Sequence, residues 1–477
     1  MKYLSKAEYS RRRFFGQMSC AGMGYLTFVN SILNLKGINA AAMANSEVSG
    51  ADDYKAIVCV LLAGGNDSYN MLVPSDETHY NEYSNTRKNL ALSQGSLLDL
   101  SYTEGVKTWG LHPSMPGVRT LFNTNRAAFI SNVGTLLNKT TTKQNYDNGT
   151  NLPIGLFSHA DQIQQWQTGI PNQRLAKGWA GKMADLIGDM NPNQNISMNI
   201  SLSGSNIFQT GDNSVEYAID PQGGAVGMNG YNPDTDWIVD SMRTTAIDSM
   251  LGQYYEDIFH KTYINVLKNS RDAFIEFNEA FQDAHNFAQG DFAANPVSEA
   301  FKTIAQTISV RQTLGFKRQV FFMTFGGWDH HDGLLANQAG MLGALSQGLF
   351  DFQNAMEILN TDDCVLTMTI SDFARTLNPN SDGSDHAWGG NALVTGGPNL
   401  IQGGMIHGSY PSLAQGAANP LEVYLGRLIP TLSTDEYFGE IAQWFGVAPT
   451  DLSTIFPNIN NMYTPSAGSY PIGFIKS

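Results

Sequence analysis

Short, continuously apolar runs recur along the chain: "KAIVCVLLAGG" from 55, "AAFISNVG" from 127, "ISMNISL" from 196, "QVFFMTFGG" from 319, "CVLTMTISDF" from 364 and "NALVTGG" from 391. They lack the in-out alternation of a half-exposed strand, so they read as strands buried on both faces. Most are separated by segments with apolar residues at three- and four-residue spacing, which predicts helices. These include "SMPGVRTLFNTN", "LAKGWAGKMADLIG", a long tract from about 236 to 290, and "AGMLGALSQGLFDFQNAMEILN". Strands interleaved with helices predict an α/β fold around a mostly parallel sheet flanked by helices, with ligands bound at the carboxyl ends of the strands.

Two regions depart from this pattern. Residues 204 to 235 are rich in Gly, Asn and Asp and read as a surface excursion, which with the following helical tract reaches to about 290. In that tract the aromatic residues recur at helical spacing and are expected to pack into the core. The other departure is the N-terminus, "SRRRFFGQMSCAGMGYLTFVNSILNLKGINAAAMANS", which runs from a basic cluster through a moderately apolar stretch to small residues.

Arg11 and Arg12, with Ser10 before them and Phe14 and Phe15 after, fit a twin-arginine export signal over residues 1–44, with Ala-x-Ala cleavage choices within 40–45. A basic helix lying on a membrane would spread its cations over several turns and would not end in small residues. A periplasmic or secreted location is expected, with the twin-arginine translocase as partner during export. No later stretch is apolar enough, for long enough, to span a bilayer, so residues 45–477 are read as one α/β domain with no stable membrane span.

Charge narrows the partners. The chain carries a formal charge of −15, which becomes −20 without residues 1–44. Nucleic acid and anionic membranes are poor partners on that ground. An anionic substrate would need local positive charge from a bound divalent cation or a placed arginine. Of the three cysteines, Cys20 falls in the signal, while Cys59 and Cys364 sit in strand-like runs and read as small buried thiols.

Candidate chemistry gathers where strands end. "GGWDHHDG" follows "VFFMTF", and if the strand runs on, Asp329 and His331 share a face while His330 turns away. Asp-x-His there would make a two-ligand arm for a divalent metal such as zinc. The same stretch also reads as a polar loop capping a helix that starts near Asp332. "LLAGGND" leads to Asp67, "TMTISDF" to Asp372, and "SDHAWGG" supplies Asp385 and His386. Four segments thus bring acids or histidines to one edge of the sheet, which favours a metal cluster over four unrelated turns.

In "LFSHADQIQQWQTG", Ser158 stands three residues before Asp161, as a helix N-cap does. A hydroxyl at a helix N-terminus is also well placed for nucleophilic attack on an anionic group, with His159 beside it as base or extra ligand. Arg375 could grip an anionic substrate bidentately or pair with a nearby acid.

The ordered set "VLLAGGNDSYNMLVP", "FSHADQIQQWQTG", "TFGGWDHHDG", "SDFARTLNPNSDGSDHAWGGNALVTGG" and "TLSTDEYFGEIAQWFGVAPTDLSTIFPNI" resembles the exported bacterial family called domain of unknown function fifteen-oh-one. That family is similar in turn to the alkaline phosphatase and sulfatase superfamily. The resemblance spans roughly residues 50 to 460. It implies an alkaline-phosphatase-like three-layer α/β sandwich, Asp67 as a metal ligand, Ser158 as nucleophile, and one metal on Asp329, His331 and His386. Asp372 would serve a second metal, but Phe373 stands where the superfamily has histidine, and Asp329 and His331 are closer in sequence than the phosphatase pattern. One or two divalent ions, zinc above all, are therefore expected, with His159 or Asp385 available to complete a site. The function expected is hydrolysis of phosphate or sulfate esters, on a small anionic ester or glycan-type substrate. The alternative is a non-catalytic binding or assembly protein of the same fold.

Overall fold

The structure, a computed structural model, describes residues 53–228, 230–233 and 235–476. The twin-arginine pair, the cleavage region and Cys20 lie outside the described residues.

Nine strands form the main sheet: β1 (Lys55–Ala63), β2 (Ala127–Gly134), β3 (Asn199–Ser201), β4 (Tyr217–Ala218), β5 (Arg318–Gly326), β6 (Val365–Ser371), β7 (Gly390–Thr395), β8 (Ile406–His407) and β9 (Leu432–Ser433). Their order is β8-β2-β7-β6-β1-β5-β3-β4, with β9 paired to β2. Central β1 runs parallel to β5, with Val58 opposite Phe321, and parallel to β6, with Val58 opposite Thr367. β7 runs antiparallel to both β6 and β2, so the sheet is mixed. The cause is local. After β6 the chain makes a two-stranded antiparallel hairpin, Arg375–Asn380 with Gly383–His386, in place of a helical crossover, and returns in the opposite direction.

Eight helices matter here: α1 (Glu77–Arg87), α2 (His159–Thr168), α3 (Trp179–Ile187), α4 (Ile238–Gly252), α5 (Ile258–Gln282), α6 (Pro296–Ser309), α7 (Leu334–Ile358) and α8 (Thr434–Phe445). Val58, Val60 and Leu62 of β1 enter one apolar cluster with Phe301 of α6 and Phe352 of α7. Ile57, Cys59 and Leu61 enter another with Trp179 of α3 and Phe438 of α8. Both faces of β1 are thus covered, which is why its sequence shows no alternation.

Two expectations are corrected. β5 stops at Gly326 because Gly327 takes φ +103°, so Asp329 and His331 do not share a strand face. Successive tight turns bring them together instead, His330 N–H donating to the Trp328 carbonyl and His331 N–H to that of Asp329. The second concerns the long helical tract. Ala273, Phe277 and Ala280 of α5 are core residues, but Phe259 and Tyr263 stand in solvent, because the first turns of α5 extend past the surface the core offers, and Tyr254 is exposed in the loop before them.

Candidate metal centre

β1, β5 and β6 are parallel, so their carboxyl ends share one edge, and two glycines let the loops there converge. Gly64 and Gly65 have φ of +119° and +88°. A Cβ on Gly64 would stand 2.6 Å from the Asp329 nitrogen, and one on Gly65 2.6 Å from the Phe373 ring. Only bare backbone fits between these loops.

Asp329, with a side chain 46% exposed, is the centre of the group. His331 Nε2 lies 3.0 Å and His386 Nε2 3.5 Å from its Oδ1, and His159 Nε2 lies 3.5 Å from its Oδ2. The Nε2 atoms of His331 and His386 face each other at 3.1 Å. On the outer side of each ring, Nδ1 meets an acceptor. These are Asp372 Oδ2 at 2.7 Å for His159, the Phe157 carbonyl at 2.8 Å for His386, and Asp385 Oδ1 at 3.4 Å for His331.

An imidazole that donates outward through Nδ1–H keeps its Nε2 lone pair for the centre, which is how a metal-ligating histidine is oriented. His159 and His386 do so here beside one carboxylate, and the His331 Nδ1 stands further from its acid. One ligand atom each from His159, Asp329 and His386 lie within 4.8 Å of one another; donors on one cation with bonds of about 2 Å stand at most about 4 Å apart, so these side chains would close in slightly on a bound ion. The mixed nitrogen and oxygen donors suit zinc and other first-row divalent ions alike.

Local charge favours the ligand forms. Partial burial opposes ionisation of Asp329, but the Arg375 hydrogen bond and charge, with His331 and His159, hold its carboxyl below the usual range. Burial lowers the pKa of His386, the Phe157 carbonyl pulls the other way, and the nearby Arg375 charge adds to the lowering. A carboxylate and a neutral imidazole are what a cation binds.

The remaining predicted residues are placed as follows. Asp372 is buried behind His159, with its Oδ1 accepting the Gly64 N–H at 3.0 Å, so it orients the imidazole from outside. Phe373 gives the histidines an apolar floor, its ring 4.5 Å from that of His386 and 4.8 Å from that of His159. His330 is buried near the Trp328 ring. Asp67 follows β1 but is ion-paired with Arg87 of α1, which also donates to the Thr376 and Leu377 carbonyls. Burial raises the Asp67 pKa even against the Arg87 charge.

Arg375 is fully buried. It donates to the Gly65 and Ser384 carbonyls at 2.9 Å, to the Trp328 carbonyl at 3.3 Å, and to the Gly64 carbonyl and the Asp329 carboxylate. Its guanidinium is therefore engaged in fixing Asp329 and three loops. Ser158 is the N-cap of α2, accepting the Asp161 N–H at 3.5 Å. It sits between Phe157, whose carbonyl anchors His386, and His159. Phe157 itself has φ +72°, a left-handed conformation uncommon for an aromatic residue, of the kind that gathers at functional sites.

Sequence reasoning undervalued His159 and the position of Asp372 behind it. The available signal was an acid left without its expected histidine at 373 and a histidine next to the helix-opening Ser158. The Asp67–Arg87 pair had no signal, since a helix separates the two residues.

The sequence matches the family described as Protein of unknown function (DUF1501) over residues 54–424, and the chain belongs to that family. Among curated proteins none matches. Solved structures similar to it include Ps i-CgsB in complex with k-i-k-neocarrahexaose, at 12% identity and TM-score 0.33, covering 87% of this chain and 76% of that one. The lipoteichoic acid synthase LtaP from Listeria monocytogenes is similar at 9% identity and TM-score 0.30, covering 93% of this chain and 80% of that one. The PsFucS1 sulfatase from Pseudoalteromonas sp. is similar at 7% identity and TM-score 0.33, covering 94% of this chain and 77% of that one. At such identities and scores, the chemistry of the present site stands on its own geometry.

Proposed function

We propose that this chain is an exported metal-dependent hydrolase of phosphate or sulfate esters, with an alkaline-phosphatase-like sandwich as its fold and a small anionic or glycan-type ester as substrate. The observation that carries the proposal is that His159 and His386 have Nδ1 anchored outward by hydrogen bonds and that the Nε2 atoms of these two rings and of His331 turn to Asp329. His159, Asp329 and His386 would hold one divalent cation, with His331 adjoining them. Bound there, the cation supplies Lewis-acid polarisation of the ester.

The chain's own residues would do the rest. Ser158 presents its hydroxyl at the start of α2, where free N–H groups and the helix dipole favour an anionic group. Its oxygen would bond to phosphorus or sulfur as the alcohol leaves, and water would then release the acid. Asp372 fixes the His159 tautomer, and Arg375 keeps Asp329 ionised and in place. A single cation is favoured over two, because Asp67 is neutralised by Arg87 and Asp372 has Phe373 in place of a histidine neighbour.

Elemental analysis of the exported protein, beside turnover of an aryl phosphate and an aryl sulfate, tests this. About one divalent ion per chain, lost in His386→Ala together with turnover, is expected. A metal-loaded protein that turns over neither ester would favour the second reading, a non-catalytic binding protein. One observation supports that reading: the Arg375 guanidinium already has protein partners on all sides. Export by the twin-arginine route belongs to the proposal as well, and replacing Arg11 and Arg12 with lysine should stop it.

A further inference from the structure

The outer half of the α4–α5 pair carries a surface unlike the rest of the molecule. Ten of the sixteen large apolar residues that stand exposed among the described residues fall between 237 and 266. Val239, Met242, Ala246 and Met250 recur at intervals of three and four on α4, and Phe259, Tyr263 and Val266 do so on α5. Such stripes are what one helix presents to another. Inward, the same helices bury only Thr244 and Leu251 from α4, and Ile264, Ala273, Phe277 and Ala280 from α5.

Area and charge choose the occupant. Trp237, Tyr254, Phe259 and Tyr263 are 62% to 83% exposed, which leaves on the order of 500 Å² of aromatic surface in water. With the neighbouring aliphatic and methionine side chains the patch approaches the roughly 800 Å² per partner of a stable interface, more than most monomers leave open. An anionic bilayer is a poor occupant, since the chain carries −15 and the tip between the helices is acidic at Glu256 and Asp257.

A second copy fits better. The α5 stripe of Phe259, Tyr263 and Val266 is uncharged and nearly symmetric about Tyr263, so it complements its own copy. Two α5 helices packed antiparallel about a twofold axis near Tyr263 would set the Tyr263 rings of the two copies side by side. Phe259 of one would then lie against Val266 of the other.

We infer that this chain forms a twofold dimer through its α4–α5 hairpins, the two pairs closing into a four-helix bundle that buries these stripes. Sedimentation of the full chain from about 1 to 100 μM, spanning the affinities common for such interfaces, reads this directly. The wild type should be dimeric, and Phe259→Asp with Tyr263→Asp should weaken association at least a hundredfold while far-ultraviolet circular dichroism is unchanged. Tyr263→Cys alone should give a disulfide-linked dimer on mild oxidation by dissolved oxygen, because the twofold axis brings the two copies of residue 263 together. Residue 263 is solvent-facing, so this variant keeps the test open should the double aspartate variant not fold. A wild type monomeric throughout overturns the inference, as does a dimer indifferent to Phe259 and Tyr263, or a monomer that instead binds anionic vesicles. A Tyr263→Cys chain that does not cross-link overturns the twofold register.

Discussion

The carboxyl edge of the sheet and the outer half of the α4–α5 hairpin depart from an ordinary protein in opposite directions. At the edge, charged groups are each tied to another, with at least one partner of every pair withdrawn from water: Arg375 to Asp329, Asp372 to His159, Asp67 to Arg87. On the hairpin, aromatic and aliphatic groups are left in water. Buried charge and exposed apolar surface are both unfavourable on their own and are the informative exceptions to normal burial. The first kind of exception fixes groups in place, as chemistry requires. The second keeps a surface ready, as docking requires.

The largest effect expected at the edge is at Arg375. Arg375→Ala would strip four backbone carbonyls and the half-exposed Asp329 carboxylate of their donor, and each buried acceptor left unpaired costs about 1–3 kcal/mol. Urea unfolding measures it. Lysine cannot reproduce the guanidinium fork, so Arg375→Lys should recover little. A variant as stable as wild type would show that the edge is less tightly bound than its hydrogen bonds indicate.

Next in size is Ser158. As a nucleophile, Ser158→Ala should lower turnover of an activated ester roughly a hundredfold or more with metal still bound. As a cap alone, the change should cost about 1 kcal/mol of stability and spare activity. Ser158→Asn separates the two, because asparagine caps well and forms no covalent ester. A stable Asn variant with normal turnover removes the serine from the chemistry.

Smaller again is Asp372→Asn. An amide can still face His159 Nδ1, but it no longer accepts a charge-assisted hydrogen bond, and loss of such an outer partner weakens metal binding about 10–100-fold. Metal titration of the variant reads the change. Unaltered affinity would mean that the orientation of His159 is set elsewhere, for example by the Phe373 ring.

Much of the edge was legible in the chain because strand exits concentrate signal. Continuous apolar runs marked β1, β5 and β6, and an acid after each run marked Asp67, Asp329 and Asp372. What was not legible depends on contacts between distant segments. Nothing near Asp67 announces Arg87, and nothing near Arg375 shows that its guanidinium will be enclosed by backbone carbonyls. The antiparallel β7 was hidden for a related reason, since direction is set by the hairpin at 375–386 rather than by the strand's own residues. On α5 the apolar spacing was read correctly as helix, but spacing alone does not tell a stripe facing the core from one facing solvent.

The smallest expected effect sharpens the comparison within that one helix. Phe277 and Phe259 both lie on α5, at 0% and 81% exposure. Phe277 stacks on Phe281 and belongs to the core cluster, so its truncation to alanine should cost about 3–5 kcal/mol, as for other buried aromatics. Phe259→Ala, measured at a concentration low enough to keep the chain monomeric, should change stability by no more than about 0.5 kcal/mol, because an exposed side chain leaves no cavity when it is removed. The same variant at high concentration should be destabilised relative to wild type, since only the dimer gives Phe259 something to bury against. A concentration-dependent gap between the two phenylalanines would mark the exposed stripe as a docking surface. A gap that stays constant would mean the ring is simply solvated.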